Sequence, residues 1–451
     1  LICTISALLI ICFPFIFRGA LDCGATHIND AMKRAAVKAI ANLAMREVSE
    51  AVAKAYIDEE LKFGREYLIP KPFDPRLIEE VPLAVVKAAM ESGAATRPIE
   101  DLEAYRHKLS DYVNSSRLFM QPNINVAKKH PAKIVYAEGE NDDVLLSMQA
   151  IVDEGVARPI LIGRQNVIEE KMQAMGLRLE PGKDFTVFNA EQADLHDRYW
   201  QHYHQSVGRS GVAADAARSA VLNNSTILAA AMVSLDEADG MVCGKVGRFD
   251  THLRDIRPII RSTNTEGRLS SICVLLLDDG PLFLADPFVN VNPDEDGIVD
   301  IAKDAIHFVQ QGFDIEPVVA LVSHSNFGTY EDESALKMKR AADRLRNELP
   351  DVQIDGEMHA LTALNQDLRD SVFEGANIKG RANVLIMPNM DAASITLGML
   401  RSFTNGRLIG PFLNGMEKPA HIPIPSVSGR GILNLTALMS ADIVRRAQQK
   451  R

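Results

Sequence analysis

Apolar residues in the first part of the chain recur at helical spacing. Side chains three or four residues apart predict a helix over residues 29–56, and Asn29 or Asp30 can cap its start. The same spacing predicts two further helices over 82–92 and 99–112.

Two segments interrupt these helices. The stretch 67–76 contains three prolines, which predicts an ordered loop. The run Asn114-Ser115-Ser116 breaks the apolar periodicity after the third helix. We therefore predict a join between two blocks of structure there, with a linker over 113–124.

Beyond the join, short apolar runs alternate with amphipathic segments. Strands are predicted over 133–137, 158–162, 240–243, 271–277, 282–285, 318–323 and 384–387. Helices are predicted over 142–154, 214–233, 298–312, 333–347 and 394–403. This alternation favours an α/β fold whose parallel or mixed sheet is covered on both faces. Ligands bind beyond the carboxyl ends of strands in such folds, and those ends are rich here in Gly, Asn, Ser and Asp.

The first 17 residues carry no charge, and Arg18 follows them. This run is at the short limit for crossing a bilayer and lacks the basic flank and cleavage site of a signal peptide. A buried strand with its following loop is the better interpretation, because Pro14 breaks a helix. Since the chain has neither an initiator Met nor a basic leader, we expect position 1 to be internal to a longer protein.

Composition narrows the class of protein. A chain of 451 residues with 47% hydrophobic residues is expected to be globular, with two to four domains. A net charge of −11 argues against nucleic-acid binding. The five cysteines have no paired metal-ligand spacing, so we expect reduced thiols in a cytoplasmic protein with no membrane partner.

Several common motifs are absent. The chain has no GxGxxG turn and no HExxH, and Gly244-Lys245-Val246-Gly247 is not a P-loop because no Ser or Thr follows the lysine. The run Ser323-His324-Ser325 could suggest a hydrolase. However, adjacent side chains on a strand point to opposite faces, and no GxSxG turn is present. A hydrogen-bonded histidine at the end of a strand is the better interpretation.

Three predicted strand ends carry stronger signals. Segment 238–244 is followed by several arginines, among them Arg257, whose guanidinium group matches phosphate oxygens. A solvated basic helix face would explain these arginines equally well. Segments 284–293 and 382–391 are strands that break into polar turns. Each segment is ordinary by itself, but their order along the chain is specific.

In that order, the segments resemble phosphate acetyltransferase from about Asn125 to the end of the chain. The matching landmarks are Ala137-Glu138, Ala238-Asp239-Gly240, Arg257-Pro258, Ala285-Asp286, Asn292-Pro293, 317–323, Asp355-Gly356-Glu357, 382–385 and Gly410-Pro411. The first 110 residues resemble the end of the cofactor-binding domain of malic enzymes, through 13–22, 24–26, 69–76 and 91–98. Both sets together resemble the bacterial hybrid NADP-dependent malic enzymes, everywhere except residues 1–11.

This resemblance implies a domain order. Residues 1–112 would be an incomplete Rossmann-type NAD(P)-binding remnant, followed by the linker 113–124. Residues 125–451 would form two α/β lobes of a phosphate acetyltransferase-like domain. The outer lobe would comprise 125–265 and 425–451, and the inner lobe 266–424.

The same resemblance implies which chemistry this chain lacks. In the family, the Tyr–Lys pair, the metal-binding carboxylates and the glycine-rich nucleotide turn all precede the part present here. We therefore expect NADP and Mg or Mn in the intact protein, no cofactor in this chain, and no malate oxidation by it.

The tail also departs from active phosphate acetyltransferases. These enzymes carry Ser-Arg-Gly and then an Asp near the start of the last helix, whereas this chain has Gly429-Arg430-Gly431 and places Gly431 or Asn434 where the acid is wanted. A missing general base costs on the order of 10²–10⁴ in rate. The resemblance implies no catalytic residue, but acyl-CoA and phosphate ligands at Arg257, Arg401, Arg430 and Ser323.

Three functions remain open at this point. In the first, the domain binds acetyl-CoA or a related acyl-CoA and inhibits the malic half of the intact hybrid. In the second, it is an active phosphate acetyltransferase that converts acetyl-CoA and phosphate to acetyl phosphate. In the third, it is a scaffold that only oligomerises the protein. A homo-oligomer is expected from the resemblance.

Overall fold

The computed structural model describes residues 15–45, 70, 76–189, 197–263, 266–277, 279–404 and 406–449. The chain divides into two compact units, residues 1–119 and 120–451. Among the described helices, none has the length and apolar character that crossing a membrane requires.

The first unit is built on helices. They are α1 (Asp30–Met45), α2 (Leu77–Glu91) and the first part of α3 (Leu102–Lys129). The apolar stripe of α1 packs on α2, and the buried residues of this core include Met32, Ile40, Leu43, Val81 and Val85. Strand pairing within the described part of this unit is limited to one isolated bridge, between Ala25 and Ala95.

Two predictions for this region are wrong where the structure describes it. Residues 15–22 form a helix, whereas a strand and loop were predicted for the uncharged run that ends at Phe17. Helix α3 runs without a break through Asn114-Ser115-Ser116, so the segment 113–124 is helical and not an irregular linker, although the division between the two compact units, after residue 119, falls inside it. Residues 1–14, 46–56 and most of the proline-rich stretch 67–76 lie outside the described residues.

The second unit contains two sheets. The strands in chain order are β1 (Ala132–Tyr136), β2 (Ala157–Ile162), β3 (Thr186–Phe188), β4 (Gly240–Val242), β5 (Ser270–Leu277), β6 (Gly280–Ala285), β7 (Val318–Val322), β8 (Gln353–Met358), β9 (Val384–Ile386), β10 (Arg407–Asn414) and β11 (Ala420–His421). The first sheet has the order β11-β4-β1-β2-β3 and is entirely parallel. The second has the order β10-β5-β6-β9-β7-β8; β5 runs antiparallel to both of its neighbours and the other pairs are parallel.

Helices connect most of these strands. They are α4 (Asp142–Glu154), α5 (Gln165–Met175), α6 (Asp197–Val207), α7 (Ala214–Asn223), α8 (Ser225–Ser234), α9 (Phe249–Ile256), α10 (Glu295–Phe313), α11 (Glu333–Glu348), α12 (Ala360–Leu364), α13 (Gln366–Val372), α14 (Met390–Phe403) and α15 (Gly429–Gln449). The predicted α/β class is confirmed. The single helix predicted over 214–233 is two helices, because Asn224 caps the second of them.

We call the first sheet with its helices the first lobe, and the second sheet with its helices the second lobe. The chain passes from the first lobe to the second near residue 262 and returns near residue 416. The two passages lie side by side: the amide of Thr263 donates to the carbonyl of Gly415 at 2.8 Å, and the amide of Glu417 donates to the carbonyl of Arg261 at 2.8 Å. Strand β11, which the predicted boundary assigned to the inner lobe, pairs with β4 in the first sheet.

Candidate functional site

The first sheet reverses its winding between β1 and β4. These two strands are neighbours, yet the chain first builds β2 and β3 on the far side of β1. Ligand clefts in α/β folds lie at such a reversal, beyond the carboxyl ends of the strands. A cleft of about 770 Å³ occupies this position and is lined by residues that include Glu138, Asn141, Arg164, Asn223 and Val246.

Acidic groups neutralise both cations that line this cleft. Arg164 donates two side-chain hydrogen bonds to the carboxylate of Glu140, at 2.9 and 2.8 Å, and this contact lowers the pKa of Glu140. Lys171 donates to Asp142 at 2.8 Å. A ligand phosphate would compete with these carboxylates, so this part of the edge suits the uncharged portion of a ligand better.

Glu138 ties the β1 and β4 edges together inside the cleft. Its Oε1 accepts a hydrogen bond from the amide of Gly244 at 2.8 Å. Burial raises the pKa of Glu138, and the Gly244 amide opposes that rise because it stabilises the carboxylate. The residue is an acidic group within a concave site, although its hydrogen bond to the backbone gives it a structural role first.

Lys245 connects the loop after β4 to two other segments at the same edge of the first sheet. Its side chain is 2% exposed and forms an ion pair with Asp143 at 2.8 Å. The ammonium also donates to the carbonyls of Pro425 and Val427, at 2.8 and 2.7 Å. Since these contacts bind the segment that leads into α15, Lys245 fixes the position at which that helix begins.

Helix α15 presents Arg430 at its second position. The side chain of Arg430 is exposed, and the preceding Gly429 lies against the backbone of α4. One turn further on, Asn434 is buried. The first turn of α15 contains no acidic residue. Gly431 and Asn434 thus stand at the two positions where the resemblance to the transferases predicts an acid.

Asp286 organises the edge of the second sheet beyond β6. Its carboxylate is buried and accepts hydrogen bonds from the amides of Ser271 and Asn290, both at 2.9 Å, and from the hydroxyl of Ser271. Burial raises the pKa of Asp286, and these donors oppose the rise. The polar loop that the sequence predicted after this strand is thus folded around a single carboxylate.

The Ser323-His324-Ser325 run is not a hydrolase triad. His324 pairs with Asp332 at 2.7 Å, which confirms the interpretation as a hydrogen-bonded histidine at a strand end. The Ser325 hydroxyl donates to the buried Glu357 at 2.7 Å. The Ser323 hydroxyl accepts a hydrogen bond from the Ser325 amide at 3.1 Å. The serines therefore shape the loop.

Lys337 joins two loops of the second sheet and was not predicted from the sequence. The ammonium of Lys337 donates to the carbonyls of Pro293 and Pro388, both at 2.9 Å, and to the side chain of Asn292 at 3.2 Å. Partial burial lowers the pKa of Lys337. It lies in a helix with many charged residues, so no local pattern distinguishes it from a solvated lysine.

The carboxyl edges of the two sheets meet. Phe249, in the first turn after the β4 loop, stacks on Phe288 of the β6 loop with ring centroids 5.1 Å apart. We call the loops around this contact the interlobe edge, defined as segments 243–249 and 423–430 of the first lobe and 286–293 and 323–329 of the second. This surface has donors and carboxylates on both sides of a shared apolar contact.

The predicted ligand residues do not all share this edge. Ser323 is buried at the carboxyl end of β7, and Arg430 lies at the start of α15. Arg257 follows α9 and donates to the carbonyl of Gly267 at 3.1 Å, beside the passage between the lobes. Arg401 lies near the end of α14, six residues before β10 begins at Arg407, which pairs with Leu276.

The position of Arg401 follows from topology. Helix α14 leaves the carboxyl end of β9, and β10 begins opposite the amino end of β6, because Leu276 pairs with both Arg407 and Pro281. The end of α14 therefore lies toward the amino edge of the second sheet. Ser323 lies at the opposite, carboxyl edge, so the fold does not bring Arg401 beside it.

Within the described ranges, His, Cys, Asp and Glu side chains do not converge in groups of three that could hold a metal ion. The cysteines that the structure describes, Cys23, Cys243 and Cys273, are buried free thiols.

The family model for phosphate acetyl/butaryl transferase matches residues 118–440. The chain belongs to this family. The phosphate acetyltransferase of Clostridium acetobutylicum is 28% identical over 319 residues, which are 69% of this chain and 94% of that enzyme. The solved phosphotransacetylase from Streptococcus pyogenes superimposes with a TM-score of 0.66 over 73% of this chain and 99% of its own, at 22% identity, and supports the fold of the transferase family here.

Longer relatives of this transferase-family chain are malic enzymes. The NADP-dependent malic enzyme of Salmonella typhimurium is 46% identical over 430 residues, or 95% of this chain. The chain spans 56% of the length of that relative. The predicted resemblance to the phosphate acetyltransferase-like part of the hybrid malic enzymes is thus confirmed.

Proposed function

We propose that the second unit binds an acyl-CoA at the interlobe edge and, within a longer cytoplasmic malic enzyme, uses that binding to regulate malate oxidation. The observation that carries this proposal is the first turn of α15, which keeps Arg430 but has no acid. Membership in the transferase family supports an acyl-CoA ligand. The missing acid favours binding over turnover, because a general base contributes about 10²–10⁴ in rate.

The chemistry of the edge fits the parts of such a ligand. Coenzyme A has phosphates, which guanidinium groups bind through paired N–H donors, and Arg430 is exposed at a helix that Lys245 holds in place. Its pantetheine arm is uncharged and suits the neutralised cleft beside Arg164 and Lys171. Arg257 and Ser323 are proposed as further ligand contacts. Arg401 was also predicted as a ligand contact, but it lies away from Ser323.

Titration calorimetry with acetyl-CoA tests the proposal. The unsubstituted chain should bind, and Arg430→Ala and Arg257→Ala should each weaken binding roughly ten- to a hundredfold, since a charge-assisted hydrogen bond contributes about 1.5–3 kcal/mol. Arg218→Ala, at an exposed position of α7, is the matched control and should not change the affinity. Unchanged affinity in both test variants would remove these ligand assignments.

An active phosphate acetyltransferase is the second candidate, and the family match over residues 118–440 favours it. It predicts that adding phosphate to the chain and acetyl-CoA releases free CoA thiol and forms acetyl phosphate. Such release would establish the enzyme and end the purely regulatory proposal. Binding without thiol release supports regulation, whereas an absence of binding supports the third possibility, a scaffold.

The proposed regulation of malate oxidation concerns the longer protein. NADP and a divalent cation enter by similarity to the malic enzymes, and the residues that hold them are expected outside this chain. In a longer protein that oxidises malate, acetyl-CoA should lower the rate. Arg430→Ala should abolish this inhibition and leave the uninhibited rate unchanged, which would separate regulation from catalysis.

A further inference from the structure

A buried histidine lies directly behind a loop that lines the cleft of the first lobe. This loop, which we call the β4 loop, comprises residues 243–248 and runs from the end of β4 to the start of α9. His252 is the fourth residue of α9 and is 8% exposed. The ligand contacts proposed above do not include it.

Both ring nitrogens of His252 have hydrogen-bond partners. Nε2 lies 2.8 Å from the carbonyl oxygen of Val246, and Nδ1 lies 2.8 Å from the hydroxyl oxygen of Thr226. Because a carbonyl oxygen can only accept a hydrogen bond, Nε2 donates to Val246. In the neutral ring Nδ1 then accepts the hydroxyl proton of Thr226. The ring therefore links the β4 loop to α8, to which Thr226 belongs.

Helix α8 gives the ring a fixed support. Residues 226–233 of this helix are buried, most of them in the core of the first lobe. A second hydrogen bond, from the side-chain amide of Asn224 to the carboxylate of Asp255 at 2.7 Å, ties the start of α8 to α9. Since α8 and α9 are joined twice, the position of His252 is set by the core and not by the β4 loop.

The β4 loop packs against this ring at close range. Gly247 has a φ of +110°, in the region that favours glycine, and a Cβ added there would lie 2.9 Å from Nε2 of His252. The contact leaves no room for a side chain between the loop and the ring. The ring therefore sets the path of the backbone at Val246 and Gly247.

The side chains that this loop carries connect it to the candidate site. Val246 and Leu222 line the cleft and are 62% and 37% exposed, so they offer an apolar surface to a ligand. Three residues after Val246, Phe249 contacts Phe288 of the second lobe. A displacement of the loop would therefore change the wall of the cleft and the contact between the lobes together.

We propose that His252 is a positioning residue for the ligand: it holds the carbonyl of Val246, so that the β4 loop keeps the apolar wall of the cleft in the shape that the ligand requires. This role rests on the acyl-CoA binding proposed above. His252 does not contact the ligand itself, since the ring is buried and both of its nitrogens are already bonded.

Two substitutions separate the two hydrogen bonds of the ring. His252→Gln keeps an N–H donor at the reach of Nε2, whereas His252→Asn keeps an acceptor at the reach of Nδ1 and loses the bond to Val246. Titration calorimetry should show roughly tenfold weaker acetyl-CoA binding for His252→Asn and near-normal binding for His252→Gln. Urea unfolding should show similar stability for both variants, because each loses one hydrogen bond. His307→Asn, at an exposed position of α10, is the control and should bind normally.

Hydrogen–deuterium exchange of the ligand-free chain adds a measurement that needs no ligand. The amides of the β4 loop should exchange faster in His252→Asn than in His252→Gln. Equal affinities or equal exchange in these two variants would overturn the positioning role. An unsubstituted chain that binds no acetyl-CoA would instead overturn the proposed function, and exchange would still decide whether His252 positions the loop.

A second variant covers the case in which His252→Asn fails to fold by circular dichroism. Gly247→Ala places a methyl group between the loop and the ring, so it should also weaken acetyl-CoA binding and speed the exchange of the β4 loop. Unchanged affinity in this variant would overturn the proposal.

Discussion

Lys245 carries a positive charge in a position almost closed to water. At the sequence level it appeared only in a glycine-flanked turn that does not match a P-loop. In the structure its three contacts, to Asp143, Pro425 and Val427, bind the start of α15 to the first sheet. The ammonium group is occupied by these contacts within the protein, so it is not available to a ligand phosphate.

Replacing this lysine should loosen the segment before Arg430. Lys245→Met removes three donors and leaves two carbonyls unsatisfied, so we expect a loss of about 1–3 kcal/mol in the free energy of unfolding. Acetyl-CoA affinity should fall with it. Urea unfolding and calorimetry measure the two effects.

The control for this variant is Lys183→Met. Lys183 is exposed and pairs with Glu180 across a surface turn, so its replacement should change the unfolding free energy by less than about 0.5 kcal/mol. Equal effects of the two variants would mean that the contacts of Lys245 do not stabilise the start of α15.

The sequence predicted some residues of the candidate site but not those whose role depends on distant contacts. The resemblance gave Arg430 and Ser323 as ligand residues, and this assignment stays a prediction; in the structure Arg430 lies at the start of α15 and Ser323 is buried at the carboxyl end of β7. Lys245, Asp286 and Lys337 act through contacts with residues far away in the chain. No spacing rule reveals such contacts, since they exist only after the sheets have assembled.

Among the elements, the two-residue strand β11 contains an unusual histidine. His421 is buried, packs edge-on against Phe412 and accepts a hydrogen bond from the amide of Leu413 through Nδ1 at 3.3 Å. Burial lowers the pKa of His421 to about 3, because the charged ring would lose its hydration. The folded protein therefore requires a neutral imidazole.

This requirement predicts a pH dependence of stability. A depressed pKa means that the unfolded chain binds a proton below pH 6.5 while the folded chain does not, so stability is lost as the pH falls. Between pH 7.5 and pH 5 the loss should be about 2 kcal/mol. His421→Asn, which keeps an acceptor without titrating, should lose correspondingly less in urea unfolding at the two pH values.

The exposed His130 gives the matched control for this experiment. His130→Asn should keep the pH dependence of the unsubstituted chain. If His421→Asn shows the same dependence as well, the acid sensitivity arises elsewhere and the buried ring does not cause it.

The elements that sequence patterns predicted well are the buried parallel strands and the amphipathic helices. Strand β10 was missed because it contains Gly410-Pro411, and proline is tolerated in a sheet mainly at an edge, which is where β10 lies. Strand β8 was missed because it contains Asp355 and Glu357, whose burial depends on hydrogen bonds from distant residues. In α3, the helix continues through Asn114-Ser115-Ser116, although the local pattern of these three polar residues predicted a break.

At the scale of the whole molecule, both sheets and the proposed ligand surface lie in the second unit. A fragment of residues 118–449 should therefore fold and bind acetyl-CoA with the affinity of the full chain. A fragment of residues 118–428, which lacks α15, is the control and should lose binding. In the full structure α15 is anchored to β1 by the buried hydrogen bond between Thr436 and Tyr136, 2.8 Å long.

Calorimetry and circular dichroism of the two fragments provide the measurement. Weak binding by a well-folded 118–449 fragment would mean that the first unit contributes to the ligand surface. The proposal would then have to include residues before 118.

The paired passages near residues 262 and 416 constrain how the lobes can move. Two chain segments that are hydrogen-bonded to each other act as one pivot, so rotation about a common line is the easiest relative motion that they leave to the lobes. The contact between Phe249 and Phe288 then opens or closes with a single angle. Arg257 donates to the carbonyl of Gly267 next to that line, so a ligand phosphate held by this guanidinium would lie close to the pivot itself.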